Sequence, residues 1–193
     1  MSNCWNGGSK NLYQATDEVD AAFFNRPVDV VARDLIGRTL RVSCAGDGDR
    51  HVVIVETEAY GDAADPASHA AFRPGGRAAL MAGAPGTVYV YSAYGMYPCL
   101  NFVTGPAGIA SAVLIRGVWP ASESRPVHGP GRTTRLLGVT PDDHGQQIPG
   151  PRFGLSTERR SFPIERTTRI GITRGADTQW RFVARTGESR NQP

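Results

Sequence analysis

Two glutamates and a tyrosine at alternating positions have the clearest chemical potential in this sequence. Residues 54–60 read IVETEAY, a β-type run. Because side chains alternate along a strand, Glu56, Glu58 and Tyr60 are predicted to project from one face. A carboxylate beside an aromatic platform can activate water next to a stacked base or sugar. The alternative is an ordinary strand with one exposed and one hydrogen-bonded carboxylate.

A second stretch, residues 86–101, reads GTVYVYSAYGMYPCLN. Five of the six tyrosines in the chain lie between Tyr60 and Tyr97. Tyr89 and Tyr91 are predicted to share one face of a strand that Gly95 ends. Tyr94, just before that glycine, is expected to protrude from the turn. A protruding aromatic side chain either covers a core or wedges into a base stack.

Three further features carry possible chemistry. His69 follows a loop with Asp62 and Asp65, and it is either structural or catalytic. Arg116 ends the apolar run SAVLI, so it either snorkels to solvent or forms a buried pair with a carboxylate. The Gly-Pro-Gly at residues 129–131 precedes a predicted helix, where backbone N–H groups could bind phosphate, although the full P-loop pattern is absent.

Short helices and strands must position these residues. Helices are predicted at residues 16–24, 27–35, 67–71 and 129–138, with a helical turn at 78–81. Strands are predicted at residues 39–42, 51–60, 100–103, 110–118, 169–172 and 180–184, and in the tyrosine-rich stretch; residues 140–155 are predicted to be a Gly/Pro-rich loop. This mixture indicates an α+β fold, a single mixed domain around a curved, largely antiparallel β-sheet with short surrounding helices. We expect a flexible arm at residues 1–15 and the domain at residues 16–193.

Composition narrows the class of protein. The chain of 193 residues is long enough to bury a core without a disulfide or metal. Its three cysteines, Cys4, Cys44 and Cys99, form no CxxC pair and no zinc spacing with the histidines. We therefore expect no metal and no cofactor, and a reduced, cytoplasmic location. No apolar run is long enough to cross a membrane.

Charge is unevenly distributed along the chain. The net charge is +3, but residues 150–193 hold nine arginines against four acidic residues. Such a basic segment suits a polyanionic partner such as nucleic acid, or it is simply a solvated surface. Lys10 is the only lysine.

Taken together and in this order, these motifs resemble the alkyladenine (3-methyladenine) DNA glycosylase family of base-excision repair. The matching pieces are ARDLIGRTL (32–40), IVETEAYGDAADPASHA (54–70), PGTVYVYSAYGMYPCLN (85–101), AVLIRGVWP (112–120), GPGRTTRLLG (129–138) and RIGI (169–172). The resemblance implies a single mixed α/β domain that binds the minor groove of double-stranded DNA, as a monomer. It further implies a monofunctional glycosylase that flips alkylated or deaminated purines (3-methyladenine, 7-methylguanine, ethenoadenine, hypoxanthine) and leaves an abasic site.

The resemblance also assigns roles at the bond that is cleaved. Glu58 would be the general base for the attacking water, and Arg116 and the backbone carbonyl of Ile170 would hold that water. Glu56 need not be catalytic and would orient or solvate. No cofactor is implied.

Further roles concern the damaged base and the duplex. The flipped purine would lie between Tyr60, His69 and Tyr91, and Asn101 would sense its minor-groove edge and disfavour the 2-amino group of guanine. Tyr94 would fill the gap in the duplex. Contacts to the DNA backbone are expected from Arg132, Arg135, Met96 and Tyr97.

The sequence departs from the family at the glycine-led motif. Arg132 stands where the family usually has lysine, and Thr133 where it often has leucine. Two other functions remain open on the residues alone. One is a binding module for damaged nucleic acid without catalysis. The other is a hydrolase of free nucleosides or sugars that uses Glu56 and Glu58 as an acid–base pair.

Overall fold

The computed structural model describes residues 17–44, 46, 48–93 and 95–187. Its strands form one open antiparallel sheet. In chain order the strands are β1 (Arg38–Cys44), β2 (Gly48–Tyr60), β3 (Val88–Ala93), β4 (Tyr97–Val103), β5 (Ala112–Pro120), β6 (Val127–His128), β7 (Phe153–Arg159), β8 (Ile164–Thr167) and β9 (Arg181–Ala184). The main path of the sheet runs β3-β4-β5-β2-β1-β7; β6 pairs with β5, and β9 pairs with both β2 and β8.

Short helices surround this sheet. They are α1 (Val28–Leu35), α2 (His69–Phe72) and α3 (Pro130–Leu137), with 3₁₀ segments at Ala21–Phe23, Gly76–Ala82 and Pro141–Asp143. The predicted α+β class is therefore confirmed, with a largely antiparallel sheet and short helices around it. Both the predicted arm at residues 1–15 and Tyr94 lie outside the described residues.

Strand β2 is the central strand and carries both glutamates. One edge of β2 pairs with β5 from Val52 to Tyr60. Its other edge pairs first with β1 and then, from Glu56 to Glu58, with β9. The register with β5 shifts on both sides of Glu56, which is the signature of a bulge. The bulge therefore lies at the first glutamate, where β2 changes its partner.

Helix α1 closes one side of the core. Val28, Val31 and Leu35 are buried at helical spacing, and Pro27 immediately precedes the first turn. The helix ends before Gly37, whose φ of 90° lies in the left-handed region. A Cβ at Gly37 would lie 2.1 Å from the carbonyl oxygen of Arg160, so glycine is required there.

Three predictions of secondary structure are wrong. Residues 169–172 are irregular and not a strand. The side chain of Arg169 and the backbone N–H of Ile170 bond to residues of β2 instead of forming a ladder with a neighbouring strand. The predicted loop at residues 140–155 contains a 3₁₀ turn, and β7 begins within it at Phe153. The predicted helix at residues 16–24 is reduced to the 3₁₀ turn Ala21–Phe23 among the described residues. β8 was not predicted.

Candidate active site

Glu58 lies fully buried at the centre of a ring of hydrogen-bond donors. Its Oε1 accepts a bond of 2.8 Å from the backbone N–H of Ile170 and lies 3.3 Å from Nε of Arg116. Its Oε2 accepts a bond of 2.8 Å from the hydroxyl of Tyr60. A carboxylate offers about four acceptor positions, so three donors leave room for one more, such as water.

Ile170 contacts Glu58 through its backbone N–H. The predicted role of its carbonyl, to hold the attacking water, stays a prediction. The side chain of Ile170 is 47% exposed and lies on the edge of the cavity described below. The peptide thus holds the carboxylate while its side chain faces outward.

Glu56 projects from the same face of β2 and is surrounded by cationic or potentially cationic groups. Its Oε1 accepts bonds from Nε of Arg181 at 2.7 Å and Nε of Arg116 at 3.3 Å. Its Oε2 lies 2.5 Å from Nδ1 of His128. A Cβ at Gly117 would lie 2.8 Å from the Cβ of Glu56, so this strand position must be glycine for the two strands to approach.

The surroundings move the pKa values of the two glutamates in opposite directions. Burial raises the pKa of Glu58 above its ordinary value, and Arg116, Ile170 and Tyr60 offset only part of that effect. Burial also acts to raise the pKa of Glu56, but the bonds from His128 and Arg181 and the charge of Arg116 outweigh it and lower this pKa to about 2. Arg116 is thus the buried carboxylate partner that was one of its two predicted roles.

An aromatic cavity of about 910 Å³ lies in front of Glu58. Its lining includes the predicted residues Tyr60, His69, Tyr91, Asn101, Arg116 and Ile170. The rings of His69 and Tyr91 meet edge to face at 4.6 Å and share one wall. These two rings contact each other, so no gap separates them.

Tyr89 completes this wall and was not assigned a role from the sequence. Its hydroxyl lies 2.8 Å from Nδ1 of His69, and its ring lies 5.6 Å from that of Tyr91. The shared face predicted for Tyr89 and Tyr91 is thus present. Burial, followed by the charge of Arg73, lowers the pKa of His69 and so favours its neutral ring. Phe72 packs edge to face on His69 and also lines the cavity.

Asn101 lies on the cavity floor and is 3% exposed. Its amide nitrogen donates to the carbonyl oxygens of Tyr89 and Cys99, both at 3.1 Å. These bonds fix its orientation. Burial raises the pKa of the neighbouring Cys99 thiol.

The remaining predicted residues lie on the surface beside the cavity. Met96 and Tyr97 are 69% and 55% exposed in the β3–β4 hairpin. Arg132 and Arg135 are exposed on α3. A Cβ at Gly131 would lie 3.2 Å from Tyr97, so the hairpin packs closely on the first turn of α3. Tyr94 cannot be placed because it lies outside the described residues.

Sequence reasoning missed the side chains that support the two glutamates. His128 and Arg181 bind Glu56, and Asp65 and Arg169 form a buried ion pair nearby. Asp65 and Arg169 both fall within motifs that carried the family resemblance, DPASHA and RIGI, which was the signal available. His128 and Arg181 had no comparable signal.

Comparison with known proteins places these observations in a family. The sequence model of methylpurine-DNA glycosylase matches residues 22–188. A protein of Nitrosospira multiformis is 42% identical over 165 residues, covering 79% of this chain and 82% of its own. One of Rickettsia felis is 40% identical, covering 83% and 89%, and one of Rhodopseudomonas palustris 39% identical, covering 89% and 90%. All three are named as inferred 3-methyladenine DNA glycosylases.

One further property concerns the helices. Within the described part of the chain, no helix has the length and apolar character needed to cross a membrane.

The matches extend over most of the chain, including both glutamates and the whole aromatic cavity. The chain therefore belongs to the methylpurine-DNA glycosylase family, a family of N-glycosylase hydrolases.

Proposed function

We propose that this protein is a monofunctional DNA glycosylase that hydrolyses the N-glycosidic bond of alkylated or deaminated purines flipped out of duplex DNA. One observation carries the proposal: a buried glutamate with a raised pKa lies directly behind an aromatic cavity large enough for a purine. Family membership supports the reaction type. The substrates would be 3-methyladenine, 7-methylguanine, ethenoadenine and hypoxanthine.

Glu58 acts as the general base in this proposal. Water bound at its remaining acceptor position attacks the anomeric carbon of the deoxyribose, and Glu58 takes the proton. The bond to the purine breaks, and its electron pair leaves with the base. Arg116 and the Ile170 peptide hold the carboxylate and the water, and the product is an abasic site.

The aromatic cavity binds the flipped base. Tyr60 contacts it on one side, and the wall of His69 and Tyr91 contacts it on the other. An alkylated purine carries a positive charge, which favours contact with aromatic faces. A neutral His69 adds no repulsion. The 3-methyladenine and 7-methylguanine nucleotides are cationic and release a neutral base, so one general base suffices for these two substrates.

Asn101 reads the edge of the base, and the exposed surface beside the cavity holds the duplex. In this proposal Tyr94 enters the space that the flipped nucleotide leaves, and stacking there offsets part of the few kcal/mol that flipping costs. Arg132 and Arg135 contact phosphates, with Met96 and Tyr97 beside them on the same surface.

The two alternative functions fit the site less well. A glycosidase pair needs a second carboxylate that is free to act on water or on the sugar, whereas both oxygens of Glu56 are held by Arg116, Arg181 and His128. A binding module without catalysis has no need of a carboxylate held by Arg116 and the Ile170 peptide. The site therefore favours hydrolysis at Glu58 alone.

The test is incubation with duplex oligonucleotides that contain ethenoadenine, hypoxanthine or 7-methylguanine, followed by alkaline cleavage of abasic sites. We expect alkali-dependent strand breaks at the lesion. An undamaged duplex is the control. Tight binding to damaged duplexes without any base release would favour the binding module instead.

The monofunctional character has its own test. A glycosylase that cuts the strand forms a Schiff base through a lysine or the amino terminus. Lys10 is the only lysine, and arginine stays protonated, so water is the expected nucleophile. Borohydride should trap no protein–DNA adduct, and no nick should appear before alkali. An adduct that disappears in Lys10→Ala would refute the water mechanism.

A further inference from the structure

The buried ion pair of Asp65 and Arg169 joins two segments that are far apart in sequence. Nη1 of Arg169 lies 2.6 Å from Oδ2 of Asp65, and Nη2 lies 2.8 Å from Oδ1. The side chains are 0% and 5% exposed, respectively, for Arg169 and Asp65. A two-point guanidinium–carboxylate contact of this kind fixes both distance and orientation.

Arg169 also binds the backbone on both sides of the pair. Nη1 donates to the carbonyl oxygen of Ala59 at 3.0 Å, and Nη2 donates to that of Gly175 at 3.3 Å. Its guanidinium lies 4.9 Å from the ring centroid of Tyr60 and 5.5 Å from that of Trp180. Ala59 stands between Glu58 and Tyr60 in β2, so the arginine is anchored to the catalytic strand itself.

These contacts of Arg169 position the two neutral groups that donate hydrogen bonds to Glu58. Ile170 directly follows Arg169, and its N–H binds Oε1 of Glu58. Tyr60, whose ring lies against the guanidinium, binds Oε2. Neither Asp65 nor Arg169 lines the cavity, so both act from behind it.

Asp65 also holds the segment of chain that leads to the aromatic wall. Its carboxylate accepts bonds from the N–H groups of Gly61 and Ala67, at 2.9 and 3.1 Å. Ser68, which follows, caps the short helix α2 through its side chain. His69 is the first residue of that helix. The ion pair thus connects Glu58 to the aromatic wall on which, in the proposed function, the flipped purine stacks.

We propose that Asp65 and Arg169 are positioning residues that set the geometry of Glu58, Tyr60 and His69 without touching the substrate. The expected effect on catalysis rests on the proposed function. The expected effect on the pKa of the Glu58 carboxyl does not. Removing the pair withdraws the Ile170 N–H and the Tyr60 hydroxyl from Glu58. Loss of hydrogen bonds to a charged carboxylate raises its pKa.

The main test compares Arg169→Lys with the wild-type protein. Lysine keeps the charge but has three N–H groups on one atom, whereas Arg169 uses four N–H···O contacts and a planar ring contact. We expect the Glu58 pKa to rise by ~1 unit, measured by NMR titration of ¹³C-labelled glutamate carboxyls. The Glu58 signal is identified by its absence in Glu58→Gln.

The same variant should lower the single-turnover rate of base release by about 10- to 100-fold, the scale expected when a reacting group is misplaced. The acid limb of the rate should move to higher pH with the carboxyl titration. Asp65→Asn should act in the same direction, which covers the case in which Arg169→Lys does not fold. Correcting rates for the active fraction separates positioning from simple loss of folded protein.

Arg185→Lys is the matched control. Arg185 also pairs with a carboxylate, Glu165, at 3.1 Å, but the side chains are 66% and 43% exposed. It should change neither the titration nor the rate. An unchanged Glu58 pKa in both Arg169→Lys and Asp65→Asn would overturn the inference, even if the wild-type protein cleaves lesions. A shifted pKa in a wild-type background that cleaves nothing would uphold positioning and refute the proposed function.

Discussion

Glu56 and Glu58 are two residues apart on one strand face, yet they occupy opposite electrostatic environments. Glu56 contacts two arginines and a histidine, whereas Glu58 shares only Arg116 and otherwise meets neutral donors. Both are nearly or fully buried. Burial alone therefore cannot explain why the pKa of one is lowered and that of the other raised.

The difference lies in the side chains that reach each glutamate. Both glutamates lie between β5 and β9, but Arg181, which is opposite Glu58 in the register, bonds the carboxylate of Glu56, and β6 places His128 next to Gly117. Glu58 faces the irregular segment after β8, which supplies a peptide N–H in place of a side-chain charge. Two carboxylates with pKa values pushed apart divide the work between them: one is a fixed anion and the other can take a proton.

The largest expected effect is a difference in the rate of base release between variants of Glu58 and Glu56. Glu58→Gln should lower single-turnover base release by ~10²-fold or more, because an amide cannot accept the proton from water. Binding of a lesion-bearing duplex should be retained, since Glu58 lies behind the cavity. Quench-flow rates and fluorescence anisotropy measure the two quantities.

Glu56→Gln serves as the contrasting variant in that experiment. We expect base release within about 10-fold of wild type once it is corrected for active protein. A dead Glu56→Gln beside an active Glu58→Gln would exchange the roles assigned here.

The second effect separates the residues by stability. Glu56→Gln leaves Arg181 without its carboxylate partner, so we expect a loss of roughly 3 kcal/mol in the free energy of unfolding at neutral pH. Because the folded-state pKa of about 2 lies below the ordinary 4.5, this stabilisation is present above pH 4.5 and is lost as the pH falls toward 2.

Urea titrations at several pH values provide the measurement. The difference between wild type and Glu56→Gln should shrink as the pH is lowered through that window. A difference that stays constant with pH would show that the charge of Glu56 is not the source of the stabilisation.

A smaller effect tests whether Arg116 couples the two sites. Nε of Arg116 lies 3.3 Å from an oxygen of each glutamate. If Arg181 is replaced in Arg181→Gln, Arg116 should be drawn toward Glu56 and should stabilise Glu58 less. We expect about a 3- to 10-fold lower rate at acidic pH and a higher midpoint of the acid limb. A rate profile identical to wild type would mean that the glutamates are independent.

How far the sequence predicted the fold depends on how local the signal was. Local sequence patterns located α1, β1, β2 and α3 to within a few residues. β7 and β8 lie in a segment rich in glycine, proline and arginine, where no alternation stands out. Those strands form because β1 and β9 offer free edges, and that information is not local.

The site shows the same division. The face shared by Glu56, Glu58 and Tyr60 follows from strand alternation, and the structure retains it despite the bulge at Glu56. The partners of the glutamates lie at separations of 60 to 125 residues, in Arg116 and Arg181. No spacing rule connects such positions. The apolar run before Arg116 gave a buried pair with a carboxylate as one of two interpretations, and nothing indicated Arg181.

The smallest expected effect is a gain in stability in Glu58→Gln. Since burial raises the folded-state pKa of Glu58, its contribution to stability is complete below the unfolded-state pKa and is lost as the pH rises through the folded-state pKa. Above the folded-state pKa the ionised carboxylate is therefore a cost, which a neutral amide of the same shape removes. Arg116 keeps Glu56 as its partner in this variant. We expect ~1 kcal/mol of added stability, the usual scale when a functional group is replaced. The gain in stability should grow from acid to neutral pH. The loss expected for Glu56→Gln also grows in that direction, so the two effects differ only in sign. Equal stability of wild type and Glu58→Gln at all pH values would show that the surrounding donors fully compensate the buried charge, and Glu58 would then lack the raised pKa on which its role as a base depends.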